Sequence, residues 1–329
     1  VANLNLHYII EKYNKINFRF FKIYFPNFSH LWKYWEIGSD YMTFFFVVTL
    51  NGLTLAALYF LAASGFTLIF GLMRTVNMAH GALLLLGGYV GFGVVELTDI
   101  WALGILAGGL AAAFAGALIQ YGVLGRMQGD ELRQTLASIA ISIVMADLML
   151  WYWGGITYQV TTPDSLAGGV QLPLLGIGYA SIRLVLIGFA LIVGFGLWVL
   201  ISRTKLGSII RAGVDDRDML RALGFKVSKI FIFVFALGGM LAGMAGVIAA
   251  SALSIAPGTD LQFLLSSLVV VIVGGMGSIG GAALGALLIG LAEQYGLAYA
   301  PTYGVVFTFA IMVFVLAVRP QGLLGRTET

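Results

Sequence analysis

Two stretches of this chain are almost free of charge, and that alone limits what it can fold into. Residues 43 to 125 carry only Arg74, Glu96 and Asp99, and residues 230 to 318 carry only Asp260 and Glu293. A water-facing surface needs charge at about a quarter of its positions, whereas this chain has 10% charged and 60% hydrophobic residues. A soluble domain, a disordered segment, a basic nucleic-acid binder and a secreted disulfide scaffold are all excluded on that ground. The 44 glycines against 6 prolines suit membrane helices, where small residues let backbones approach closely. With no cysteine, thiolate metal sites and catalytic thiols are excluded as well.

The expected fold is therefore an all-α polytopic membrane protein. A bilayer core about 30 Å thick takes roughly 20 apolar residues per helix. Spans are expected near 43–72, 78–97, 101–124, 135–153, 184–202, 230–253 and 303–318, with a long apolar segment at 263–293, giving about eight. Basic residues orient them. The segment 203–229 holds 10 of the 33 charges, seven of them basic, and is read as cytoplasmic. The turn with Arg126 and Arg133 and the tail 319–329 with Arg319 and Arg326 fall on the same side, while 154–180, without Lys or Arg, lies outside.

Parity then requires the 263–293 segment to begin and end on the outer side. The break at Gly274-Gly-Met-Gly-Ser-Ile-Gly-Gly281 is where it would turn, as a re-entrant hairpin or as two short tilted spans. A second break, Arg74-Thr-Val-Asn-Met-Ala-His-Gly81, separates two earlier apolar runs. Paired interruptions point to a transport pathway, so Asn77, His80, Gly81, Gly275, Gly277, Ser278 and Gly280 are candidate path or hinge residues. Gly275-x-Gly277-x-x-Gly280 also has the form of a dinucleotide fingerprint, but that motif needs a soluble βαβ unit, and apolar spans flank this one. Residues 1–42 form a separate extension in which basic and aromatic residues interleave from Phe18 to Trp35, as in a segment lying on headgroups. No short apolar run stands near residue 1, so no secretory signal is expected.

His80 is one of three scattered histidines, with His7 and His30, which gives no metal cluster. It either bonds backbone groups at the break or relays protons. Asp147 and Glu293 are ionisable groups in or at the ends of spans and are functional candidates by default. Asp147 stands beside Trp151 and Trp153, which also suits the membrane interface. In the cytoplasmic segment, Asp215, Asp216 and Asp218 precede Met219-Leu-Arg-Ala-Leu-Gly224, the start and stop signals of a short helix. Its stripe of Met219, Leu220 and Leu223 packs either on a partner groove or on the membrane surface. No lysine follows a glycine, so a Walker A loop is absent, and any ATPase must be another polypeptide.

These residues resemble the LivH-type permeases of branched-chain amino-acid ABC importers, a family that includes urea and short-amide permeases. The matching pieces are Asn51-Gly-Leu-Thr-Leu-Ala-Ala-Leu-Tyr59, Gly65 to Gly71 with Val76-Asn-Met-Ala-His-Gly81, and Arg211-Ala-Gly-Val-Asp-Asp216 through Met219 to Leu223-Gly224. Val273 to Gly281 and Arg319-Pro-Gln-Gly-Leu-Leu-Gly325 complete them. The resemblance implies a helix around Asp215–Gly224, with Arg211, Asp216, Met219, Leu220 and Leu223, that docks on an ATPase. It further implies two ATPase subunits carrying ATP and Mg, a second permease subunit (LivM-like or a copy of this chain), a periplasmic or lipid-anchored binding protein, and the bacterial or archaeal inner membrane. No cofactor is expected on this chain, and no chemistry of its own. Where the family commonly has an acid after Ala-His-Gly, this chain has Ala82. The rival reading is a self-sufficient transporter or channel driven by an ion gradient through Asp147 or Glu293, and a membrane scaffold is the third.

Overall fold

The computed structural model describes residues 29–325 apart from positions 74, 128, 167, 173–176 and 216, with the backbone alone at 29–40, 214, 215, 217, 218 and 305. The chain divides into two compact units. The smaller comprises residues 1–47 and 173–177, and its described part is chiefly the first portion of helix α1 (Ser29–Met73). Residues 1–28 of the expected extension lie outside the described residues, and the expected boundary at residue 42 falls within α1.

The larger unit holds the membrane helices. After α1 come α2 (His80–Thr98), α3 (Trp101–Gly122), a 3-10 turn at Leu124–Met127 and α4 (Glu131–Trp153). A β-hairpin (β1, Gly169–Leu172; β2, Ile177–Ala180) precedes α5 (Ser181–Arg203), and two short helices, α6 (Lys205–Asp215) and α7 (Arg217–Ala222), follow it. The chain closes with α8 (Val227–Ala252), α9 (Thr259–Gly274), α10 (Ile279–Tyr299) and α11 (Gly304–Val318). Among the described residues, seven helices are long and apolar enough to cross a membrane, while α9 and the stretch Val306–Val318 are shorter. Among the described residues the hairpin and an isolated antiparallel bridge between Tyr158 and Ile255 depart from an all-helical reading.

Glycine contacts between α2, α3 and α8 form the centre. A Cβ at Gly87 of α2 would strike the Gly243 backbone of α8; one at Gly108 of α3 would strike the Gly87 carbonyl, and one at Gly243 the Gly108 carbonyl. Gly91 meets Gly104, and Gly239 meets Ala112, so α3 runs antiparallel to both neighbours. Lipid tails are as apolar as leucine, so helices in a bilayer associate through close backbone approach and van der Waals contact rather than hydrophobic exclusion. A methyl at any of these three glycines removes that approach.

Arginine-bearing ends gather at one pole. Gln134, at the start of α4, donates from Nε2 to the Met127 carbonyl at 2.8 Å, and Leu72 near the end of α1 lies 3.1 Å from the Cβ position of Gly213 on α6. The opposite pole is aromatic: the Trp101 indole donates to Ser251 at 2.9 Å, and Tyr89 stacks on Trp153 with centroids 5.0 Å apart.

The two breaks differ in kind. The long segment read at 263–293 is an antiparallel pair, α9 and α10, in which Gly274 packs on Gly281 and Gly285 on Val270. Its turn lies beside Gly71 near the end of α1, and the pair has the interrupted form expected of this segment. At about 1.5 Å per residue, the 16 residues of α9 measure about 24 Å, short of a full hydrocarbon core. The segment 203–229 holds two helices where one was expected: Ile210 and Gly213 bury one face of α6, ahead of the acidic residues that precede α7.

Candidate translocation and coupling site

At the first break the chain re-enters the bundle. Thr75 donates to Gln134 Oε1 at 2.9 Å, and the Met78 amide donates to Ser138 Oγ, one turn further along α4, at 3.0 Å. His80 Nε2 then meets the Ala62 carbonyl at 2.9 Å. Ala62 precedes Met73 by eleven residues, about 16 Å along a helix. Helix α2 therefore begins inside the bundle, with its positive dipole end at depth, as in discontinuous transporter helices. Because a carbonyl only accepts, His80 carries its proton on Nε2 and donates. Its ring is buried edge-on to Phe66, centroids 5.4 Å apart.

Asn77 organises this entry. Its Oδ1 accepts from the Ala79 amide at 3.1 Å, and its carbonyl accepts from His80 N at 3.3 Å. It lines a small cavity with Thr75, Gln134 and Ser138 between Ile69 and Phe235. All four polar residues are buried. Gly81 is where α2 touches α9: a Cβ there would strike the Asp260 carbonyl.

The second break is sealed by the carboxyl-terminal tail. Leu323 and Leu324 donate their amides to the carbonyls of Val273 and Gly274, each at 2.9 Å, satisfying acceptors that the end of α9 leaves open. Gly275 (φ 105°) and Gly277 (φ 80°) hold backbone conformations that favour glycine. Gly277 also lies 3.2 Å from the Cβ position of Gly71. Ser278 caps α10, its Oγ accepting from Gly281 N at 3.0 Å. At Gly280 a Cβ would meet only Leu324, at 3.7 Å, so nothing steric requires glycine there.

On α6 and α7 the expected apolar stripe divides. Leu220 is buried, 3.3 Å from the Cβ position of Gly213, whereas Met219 and Leu223 are 60% and 65% exposed. Gly224 (φ 84°) ends α7: its amide bonds the Arg221 carbonyl at 2.9 Å and that of Phe225 bonds the Leu220 carbonyl at 3.2 Å, the pairing of a Schellman cap. Arg211 donates to the Ile201 carbonyl and to Ser208, pinning α6 to the end of α5. Asp215 is the last residue of α6 and is described by its backbone alone, and Asp216 lies outside the described residues.

The two intramembrane acids separate. Asp147 is exposed on α4, among exposed Val144, Leu148 and Trp151. Glu293 is half-buried and accepts from the Tyr59 hydroxyl at 2.8 Å. Close by in α1 a polar group went unread in the sequence: Tyr179 bonds Thr54 at 2.8 Å and Asn51 at 3.1 Å, and Arg183 donates to the same Asn51 oxygen. The available signal was a lone arginine opening an apolar span, next to a stretch without other basic residues. Among the described residues, no three His, Asp or Glu side chains are grouped as a metal site.

Long apolar helices, one of them starting inside the bundle, define a multi-pass membrane protein. Comparison with known proteins makes this specific. The chain belongs to the branched-chain amino acid transport system permease component family, whose model matches residues 48–316. It is 29% identical to the high-affinity branched-chain amino acid transport system permease protein BraD of Pseudomonas aeruginosa, over 84% of this chain and 95% of that protein. To the Escherichia coli permease protein LivH it is also 29% identical, over 88% of this chain and 98% of the relative. The Escherichia coli permease protein LivM is 26% identical over 85% of this chain and 71% of its own length.

Proposed function

We propose that this chain is the permease subunit of an ATP-driven importer in the cytoplasmic membrane of a bacterium or archaeon, and that it forms part of the path for branched-chain or similar small amino acids. The observation that carries the reading is the family match across residues 48–316, which takes in both breaks and the cytoplasmic helices. Two ATPase subunits would dock on α6–α7 through Met219 and Leu223, held outward while Leu220 anchors the helix beneath. A second permease subunit, LivM-like or a copy of this chain, completes the path, and a periplasmic or lipid-anchored binding protein delivers substrate. Residues 43–318 form the permease domain, 203–229 the coupling segment and 319–329 a cytoplasmic tail. ATP closure of the ATPases swings α6–α7, and the permeases alternate between outward and inward openings. The outward placement of Asp147 gives the gradient-driven rival no interior carboxylate on α4.

The test is leucine uptake in proteoliposomes by the chain assembled with its ATPases, partner permease and binding protein. ATP-dependent uptake that disappears in Leu223→Asp, with ATPase binding reduced, is the expected result. Gradient-driven uptake by the chain alone would overturn the reading.

A further inference from the structure

Two opposite charges are held along one helix, α1, at Asn51 and two turns on at Tyr59, and they do not neutralise each other. Arg183 is held by Asn51 Oδ1 and lies over the Tyr179 ring, its guanidinium carbon 5.8 Å from the centroid. Glu293 is held by the Tyr59 hydroxyl at 2.8 Å. Their depths follow from the α1–α10 contact. The Cβ position of Gly290 is 2.7 Å from Ala56 Cα, and that of Gly52 is 3.1 Å from Leu291 Cα. The helices run antiparallel, so the Cα of Glu293 lies level with residues 51–53 of α1, while its carboxylate reaches the Tyr59 hydroxyl. Asn51 and Tyr59 are eight residues apart, which places their side chains about 80° apart around the helix. The long Tyr59 side chain leans towards the amino-terminal end of α1 and so reaches Glu293.

Among the described residues neither Arg183 nor Glu293 forms an ion pair, and both are half-buried. Such groups are costly in a membrane domain and mark substrate or ion paths. Their protein partners are neutral: the Asn51 amide for Arg183, and the Tyr59 phenol with the nearby Thr308 hydroxyl for Glu293, which orient a charge without cancelling it. Arg183 has five donors, one of them spent on Asn51, and the Glu293 carboxylate has further lone pairs open. The α-carboxylate of an amino acid fits the guanidinium in charge-assisted bonds, and its α-ammonium fits the carboxylate.

We propose that Arg183 and Glu293 form a recognition site for the zwitterionic head of the transported amino acid, on the outer half of the path, with Asn51 and Tyr59 as positioning residues. This rests on the amino-acid importer reading above and names the side chains that read the common part of the substrate, leaving its apolar side chain to the helices around.

The experiment measures leucine uptake by the complete importer in proteoliposomes, at saturating binding protein, for Glu293→Gln and Arg183→Gln, with co-purification of all subunits as the assembly check. Each change is expected to raise the apparent KM for leucine about tenfold or more, the scale of a lost charge-assisted contact, while the ATPases remain bound. If either variant fails to assemble, Glu293→Asp and Arg183→Lys keep the charge and move it by about one bond, and a smaller KM increase is expected of them. Assembled variants with a leucine KM within twofold of the unmodified importer would overturn the proposal. A wild-type importer that carries urea or an amide and no amino acid would instead overturn the substrate reading on which it rests.

Discussion

Replacing His80 separates a structural role from a proton-relay role. In His80→Ala the Nε2–Ala62 bond is lost, and with it a buried ring packed edge-on to Phe66 at 5.4 Å. A net hydrogen bond contributes about 1 kcal/mol. The Ala62 carbonyl retains its intrahelical bond, so no full orphan penalty applies. Truncating a buried aromatic ring costs about 3–5 kcal/mol for phenylalanine, and the smaller imidazole takes the lower part of that range. The sum is about 3–4 kcal/mol, expressed where α2 meets α1. His80→Gln is the informative partner, because glutamine carries an N–H donor at the same number of bonds from Cβ and cannot titrate near neutral pH. The expected result is a lowered melting temperature and reduced assembly for His80→Ala, but near-normal melting and uptake within about threefold for His80→Gln. Loss of uptake in His80→Gln at unchanged thermal stability would refute the structural account and favour a proton step.

Three further outcomes follow from the same geometry. Gly275→Ala places a Cβ at φ 105° against the backbone of Leu324 and Gly325, a strain of about 1–3 kcal/mol; the tail should detach and become accessible to carboxypeptidase, while Gly280→Ala stays protected. Gly224→Ala removes the preferred left-handed residue of the α7 cap at a cost of about 1–2 kcal/mol, and should weaken ATPase binding in a pull-down without changing the melting temperature of the permease. Asp147→Asn, on the exposed face of α4, should leave uptake within twofold, measured in the same proteoliposomes; a tenfold loss would return that carboxylate to the path.

Charge distribution made the membrane domain legible, because every lysine or arginine left in hydrocarbon is costly and helix ends therefore show themselves. The glycine break at 274–281 was equally open to reading, since positive φ at Gly275 and Gly277 calls for glycine. The depth of each break was not. Both interrupt apolar runs, and only tertiary partners distinguish them: Ser138 and Ala62 draw the first inward, whereas Leu323 and Leu324 cap the second at the basic pole. Arg183 escaped notice for a similar reason. Its role depends on Asn51, 132 residues away, and no local pattern encodes that distance.

Which helices face protein and which face outward was the least legible feature, and the reason lies in the solvent. In water an amphipathic stripe marks the buried face; in a bilayer both faces are apolar, so periodicity carries little. Helix α8 has 61% of its apolar window buried and α4 has 11%, though both are apolar enough to span. What separates them is residue size. Helix α8 places Gly238, Gly239, Gly243 and Gly246 against neighbouring backbones, and α4 contains no glycine. Small residues mark contact because close approach is what holds helices together in lipid. Helix α5 shows where that rule stops: it has Gly188 and Gly196 with nothing within 4 Å of their Cβ positions, and only 17% of its window is buried. Glycine permits contact and does not supply it. The glycines that mattered are those with a second glycine or a carbonyl opposite, as Gly87, Gly108 and Gly243 have in one another, and that reciprocity is a property of pairs of helices rather than of any one segment.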